Sequence, residues 1–206
     1  MPQMGEKPDG ENMPQDTTTD ESGTSTKGIK AGGSMYLNGG TYQIDSADDS
    51  IHSNANITIA DGTYTLATGD DGVHADDALI VNGGTITVTE SYEGLEGLTV
   101  TINDGTIDIT ASDDGINTAG EKMELNGGYI HILAGGDGLD SNGDLTINGG
   151  EIYIDGPSDN GNSAIDYGDR SSAYVNGGTL VAIGSSGMAE VMSDSSKQKG
   201  LMVKLG

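Results

Sequence analysis

Leu145-Thr146-Ile147-Asn148-Gly149-Gly150-Glu151-Ile152-Tyr153-Ile154 is an apolar strand, a tight turn and a second apolar strand with nothing between them. Side chains along a strand switch face at every residue, so Leu145 and Ile147 share the inward side before the turn, and Ile152 and Ile154 share it after the turn. Glycine closes the turn because the chain must pass through positive φ there. The unit recurs, with closing glycines at Gly40, Gly62, Gly84, Gly105, Gly128, Gly150 and Gly178, spaced 22, 22, 21, 23, 22 and 28 residues apart. A period in the twenties filled with β-branched residues marks a solenoid, because no single repeat can bury its apolar face alone.

The alternation names the core. Before each turn the inward pairs are Met35/Leu37, Ile57/Ile59, Leu79/Val81, Val100/Ile102, Met123/Leu125 and Leu145/Ile147. After it they are Tyr42/Ile44, Tyr64/Leu66, Ile86/Val88, Ile107/Ile109, Ile130/Ile132 and Ile152/Ile154. A third short strand supplies Ile29, Ile51, Val73, Leu95, Ile116, Leu139 and Ile165, and the hydrophobic stack is expected to run from Ile29 to Ile183. Three strands per repeat predict an all-β, single-stranded parallel β-helix of about 22 residues per coil, each coil rising ~4.8 Å. Asn38, Asn82, Asn103, Asn126, Asn148 and Asn176 share one turn position, with Ala60 the exception, and predict a ladder of stacked amides.

The organisation follows from the period. Residues 1–27 are a polar tract without apolar period and read as a linker or loop; residues 28–186 are the helix; residues 187–206 are an incomplete terminal coil. Apolar residues make up only 33% of the 206, so the core is a narrow aliphatic stack. The formal net charge of −25, with a single arginine, Arg170, argues against nucleic acid and anionic lipid as partners. No stretch reaches the apolar length of a membrane span, and Met1-Pro2-Gln3-Met4-Gly5-Glu6 lacks the features of a signal peptide.

Acidic residues precede the third strand in coil after coil. Asp49, Asp71, Glu93, Asp114 and Asp137 form one column, and Lys30, His52, His74, Glu96, Asn117, Asp140 and Asp166 a second, outward one. Carboxylates ~4.8 Å apart repel one another. Ca²⁺, which takes oxygen ligands at ~2.3–2.6 Å, fits between two of them and removes the repulsion. The metal ligands predicted are Asp49, Asp71, Glu93, Glu96, Asp114, Asn117, Asp137, Asp140 and Asp166. Glu93, Glu96, Asp114 and Asn117 make the densest group, with Asp137, Asp140 and Asp166 a second. The plainer reading is a solvated acidic face. Gly135-Gly136-Asp137-Gly138-Leu139-Asp140 matches a calcium nonapeptide once, inside a longer period, and is a local coincidence.

Lys27-Gly28-Ile29-Lys30-Ala31-Gly32-Gly33, Gly69-Asp70-Asp71-Gly72-Val73-His74-Ala75-Asp76 and Ser91-Tyr92-Glu93-Gly94-Leu95-Glu96-Gly97 carry a resemblance. With Ser112-Asp113-Asp114-Gly115-Ile116-Asn117, Gly136-Asp137-Gly138-Leu139-Asp140 and Gly184-Ser185-Ser186-Gly187-Met188-Ala189, the chain resembles the bacterial carbohydrate-binding-domain-containing proteins. The resemblance runs from about Lys27 to Ala189. It implies a pectate-lyase-like right-handed β-helix, calcium at the paired-acid loops, and binding of plant cell-wall polysaccharide at the cell surface, acidic sugars such as polygalacturonate above all, and cellulose. In that family a Met/Pro/Gln-rich loop interrupts the helix, and residues 1–27 look like it. The chain is therefore expected to match the family's C-terminal half, without the secretion signal.

Binding and catalysis make different demands. A pectate lyase needs a strong base beside its ion, and of the basic residues read within the coils, Lys30, Lys122 and Arg170, none falls among Glu93, Glu96, Asp114 and Asn117. Inverting hydrolysis needs two carboxylates ~6.5–9.5 Å apart, which coils two apart would supply. A catalytic pair should interrupt the repeat, whereas these carboxylates are the repeat, so no catalytic residue is assigned. The reading preferred is a non-catalytic, calcium-dependent binder whose ligand contacts come from His74, Glu96, Asn117, His131, Asp140 and Tyr153. A pectin-degrading enzyme and a structural or adhesive rod are the alternatives.

Overall fold

A computed structural model describes residues 25–204. Its sixteen strands are all parallel to their neighbours and make three stacked faces, with no helix among the described residues. The strands, numbered in chain order, sort by face. The short-strand face holds β1 (Ile29–Ala31), β3 (Ile51–Ser53), β11 (Leu139–Ser141), β14 (Ile165–Tyr167) and the first halves of β5 (Val73–Val81), β7 (Leu95–Ile102) and β9 (Ile116–Leu125). The face before the turn holds the second halves of β5, β7 and β9, the first halves of β2 (Met35–Ser46) and β4 (Ile57–Thr68), and β12 (Asp144–Ile147) and β15 (Ala173–Val175). The face after the turn holds the rest of β2 and β4, then β6 (Thr85–Glu90), β8 (Thr106–Ala111), β10 (Tyr129–Ala134), β13 (Glu151–Asp155) and β16 (Thr179–Ile183). The chain is thus a parallel β-solenoid of about 22 residues per coil, as its period predicts.

Register is tight because a slip of one residue would turn every aliphatic side chain outward. Ile130 stands between Ile107 and Ile152, and Ile116 between Leu95 and Leu139. The expected inward residues form one buried core, with Ile29, Met35, Tyr42 and Ile44 of the first described coil only partly covered. Tyr42 and Tyr64 stack in parallel at 5.0 Å inside it. The stack stops short of its expected end: Leu180 and Ala182 pair with Ile152 and Ile154, which places Ile183 opposite Asp155 on the outer side, 66% exposed.

The amide ladder runs from Asn176 through Asn148, Asn126 and Asn103 to Asn82, each Nδ2 donating to the next Oδ1 at 2.8–2.9 Å. Beside it, Gly128 has φ +86° and a Cβ there would lie 2.7 Å from the carbonyl oxygen of Gly105 in the preceding coil. Gly128→Ala should therefore lower stability by about 1–3 kcal/mol through backbone strain and crowding. An unchanged thermal melt would contradict this.

Residues 1–24, most of the tract expected to be a linker, lie outside the described residues. At the other end, residues 190–198 run without regular strand along the last coil, where Ser193 and Gln198 N–H groups donate to Ala173 and Val175 carbonyls.

Candidate functional site

The corner column is built from the backbone outward. Each acid sits in the loop that enters the short-strand face, where the coils approach closely; at Gly115 a Cβ would meet the Gly138 carbonyl oxygen at 2.6 Å, which explains why glycine follows Asp71, Glu93, Asp114 and Asp137, with Ser50 after Asp49 the exception. One carboxylate oxygen of each aspartate is tied down. Asp49 accepts from the Asp71 N–H at 3.2 Å, Asp71 from the Glu93 N–H at 3.3 Å, Asp114 from the Asp137 N–H at 2.6 Å, and Asp137 from the Ser163 N–H. The second oxygens of Asp49 and Asp71 turn to the neighbouring basic groups, Asp49 Oδ2 to Lys27 and His52 and Asp71 Oδ2 to His74.

The outward column is in register as expected: Lys30, His52, His74, Glu96, Asn117, Asp140 and Asp166 pair in sequence. Its chemistry changes along the rod, from lysine through histidine to carboxylate and amide. Lys27 belongs to the same device. It lies 22 residues before Asp49, and its buried ammonium reaches Asp48 at 2.9 Å and Asp49 at 2.7 Å. Reading residues 1–27 as a polar tract passes over it, although the period itself places it in the corner column.

His52 Nδ1 lies 2.8 Å from Asp49, and His74 Nδ1 lies 3.0 Å from Asp71 and 2.9 Å from Glu96. The expected group of Glu93, Glu96, Asp114 and Asn117 therefore divides. Glu96 is drawn back a coil to the His74 imidazole, Glu93 accepts from Asn117 Nδ2 at 3.0 Å, and Asp114 turns to the Asp137 amide. Asp137, Asp140 and Asp166 do come together, with one carboxylate oxygen of each within 4.8 Å of the others. One coil back, Asn117 is 3% exposed and its Oδ1 has no hydrogen-bond partner.

Ionisation follows the same division. Burial works to raise Asp49, but His52 and the Lys27 ammonium outweigh it and hold the carboxyl at about 2. Burial lowers His74, but Asp71 and Glu96 drive it up to about 11. Burial pushes Asp71 up to about 8, with the Glu96 carboxylate adding to it. Burial also raises Glu93 to about 9, helped by Glu96 and Asp71, and Asp114 to about 8, helped by Asp140 and Asp113. In Asp137 burial and the carboxylates of Asp140 and Asp166 win over the Ser163 N–H and raise it to about 7.

The other two predicted ligand contacts stand apart from this column. His131 and Tyr153 are neighbours on the face after the turn, where His131 Nδ1 lies 3.1 Å from Asp108 and the Tyr153 ring packs 5.8 Å from that of Tyr129. Tyr129 also lines a shallow groove of about 600 Å³ with Asp104, Thr106, Glu151 and Thr179 along the glycine corner.

A family model described as carbohydrate-binding domain-containing protein matches residues 6–72 and 70–201. The chain belongs to that family. No curated protein and no solved structure matches it. For a carbohydrate-binding domain, the acidic and histidine groups of the corner are the places that could hold a metal ion: Asp48/Asp49/Asp70, Asp49/His52/His74, Asp71/His74/Glu96 and Asp137/Asp140/Asp166. No helix among the described residues is long and apolar enough to cross a membrane.

Proposed function

We propose that this carbohydrate-binding domain binds acidic plant cell-wall polysaccharide, polygalacturonate being the type, in a calcium-dependent and non-catalytic manner, outside the cell or on its surface. The observation that carries the reading is the far end of the column, where only oxygen donors remain. Asp137, Asp140 and Asp166 converge there, and the buried Oδ1 of Asn117, paired in register with Asp140, points to a cation rather than to a hydrogen-bond donor. Hard oxygens in this number suit Ca²⁺, which accepts six to eight of them. Bound there, calcium would supply positive charge and open coordination positions for a uronate carboxylate.

The chain's own residues set the rest. A chain of net charge −25 repels a polyuronate unless cations bridge the two. The exposed face carrying His131, Tyr153 and Tyr129 offers ring surface and hydrogen bonds to neutral parts of a sugar. The carboxyls held protonated at Glu93 and Asp114 are what an acid catalyst would require, which favours a pectin-degrading hydrolase as the second reading. Against it, the same carboxylate device repeats from coil to coil and marks no unique pair.

A calcium titration of polygalacturonate pull-down tests the proposal. Binding should weaken at least ~10-fold in EDTA, and Asp140→Ala should weaken it comparably in calcium. Cellulose binding should depend less on the ion. Equal binding in EDTA removes calcium from the reading, no binding in either condition removes the ligand, and new reducing ends or unsaturated products that vanish in Asp114→Ala make the chain an enzyme.

A further inference from the structure

We propose that Asp71, His74 and Glu96 bind one divalent first-row transition ion of the zinc class, at a site chemically distinct from the oxygen-only end of the column. The inference does not depend on which polysaccharide the domain binds. Three donors from two successive coils meet here: Asp71 Oδ2 and Glu96 Oε2 lie 3.0 and 2.9 Å from the same atom, His74 Nδ1. Donors bonded tetrahedrally to one ion at ~2.0–2.1 Å stand about 3.3–3.4 Å apart, so an ion entering here would spread the three donors by only a few tenths of an ångström. Without an ion the three groups are held together by protons, one on His74 and one between Asp71 and Glu96; an ion would displace them and bond to all three donors.

The surroundings are arranged as a ligand set requires. Asp71 Oδ1 accepts the Glu93 N–H and leaves Oδ2 for the site. The far ring nitrogen of His74, Nε2, lies 3.6 Å from Asp76 Oδ1, which is also 3.7 Å from His52 Nε2; a small shift of that carboxylate would let it hydrogen-bond a metal-bound imidazole. Asp71 and Glu96 are buried and His74 is 17% exposed, so the donors are sheltered but reachable from one side.

One coil back, Asp49-Ser50-Ile51-His52 repeats the pattern of Asp71-Gly72-Val73-His74, and the comparison shows why only the second position is a site. Asp49 Oδ2 is already held by the Lys27 ammonium at 2.7 Å and His52 Nδ1 at 2.8 Å, so a permanent cation occupies the place of an ion. No lysine stands at the corresponding corner position of the next coil, where the residue is Asp49 itself. An imidazole donor selects against calcium, which takes oxygen ligands, and for the zinc class, which accepts nitrogen and carboxylate together.

The test is zinc binding by the metal-stripped chain at neutral pH, measured by calorimetry and by metal content after dialysis against millimolar calcium. One zinc ion per chain should be retained in calcium, and His74→Ala and Glu96→Gln should each weaken binding by roughly tenfold to a hundredfold or more. His131→Ala, on a different face, should change nothing. Glu96→Gln keeps the side chain's shape, so it remains informative if His74→Ala fails to fold; the visible bands of bound cobalt should shift in it. Absence of binding, displacement of zinc by millimolar calcium, or unchanged zinc affinity in Glu96→Gln would each overturn the site.

Discussion

Ile130→Asp should abolish the cooperative fold. Ile130 is fully buried, 0% exposed, with Ile107 on one side and Ile152 on the other in the same inward column. A carboxylate there has neither water nor a cation, and it replaces side-chain contacts in three coils at once. Burying an unpaired ionised group costs far more than a lost methylene, and even if the group takes up a proton, the unmet hydrogen bonds and missing apolar volume remain. Domains are stable by about 5–15 kcal/mol, so this single change consumes most or all of that margin. In a solenoid each coil is held by its neighbours, so a defect in the middle separates the stack into two short halves. Ile130→Val should lose only about 0.5–1.5 kcal/mol. Urea unfolding followed by far-UV circular dichroism distinguishes them: an Ile130→Asp midpoint equal to that of the parent would refute the stacked core.

The fold is legible because every inference is repeated. An alternation seen at Leu145–Ile154 is weak alone, yet the same alternation at seven glycine corners leaves one architecture, and register then follows from the period. The columns of Asn82–Asn176 and Lys30–Asp166 come from the same arithmetic. What the period does not carry is where a side chain turns once its column is set. Glu96 has His74 on one side and Asn117 on the other; the imidazole attracts it more strongly than the amide does, and the expected cluster divides. Lys27 is readable from its spacing to Asp49 but is hidden by the composition of the tract before it. Ile183 departs from the expected core by one residue of alternation, at the end of the last strand, where no further coil confirms the register.

Without metal, the protein should lose stability as pH rises from 5 to 9, and calcium should restore much of it at pH 9. Glu93 is raised from 4.5 to about 9, Asp71 from 3.8 to about 8, Asp114 from 3.8 to about 8 and Asp137 from 3.8 to about 7. Between the ordinary and raised values the folded chain holds protons that the unfolded chain has released. Stability therefore falls with rising pH across that window. His74, raised from 6.5 to about 11, works in the same direction, its contribution fully present below 6.5 and lost as pH climbs toward 11. Asp49, held at about 2 from 3.8, works the other way and costs stability only as pH falls below its ordinary value. The optimum should sit near pH 4–5. A tenfold change in one group's proton affinity corresponds to about 1.4 kcal/mol, but these carboxyls share neighbours and their effects do not add; a net loss of several kcal/mol, or roughly 10 °C in melting temperature, is expected between pH 5 and 9 in EDTA. Calcium should raise the melting temperature at pH 9, where the carboxylates are ionised, and do little at pH 5, where it must first displace protons. Glu93→Gln copies the protonated carboxyl and should flatten the profile while leaving the pH 5 value nearly unchanged. A calcium-free protein that melts alike at pH 5 and pH 9, or a Glu93→Gln profile that overlays the parent's, would mean that water reaches the column and the carboxylates ionise there as they do on any exposed face.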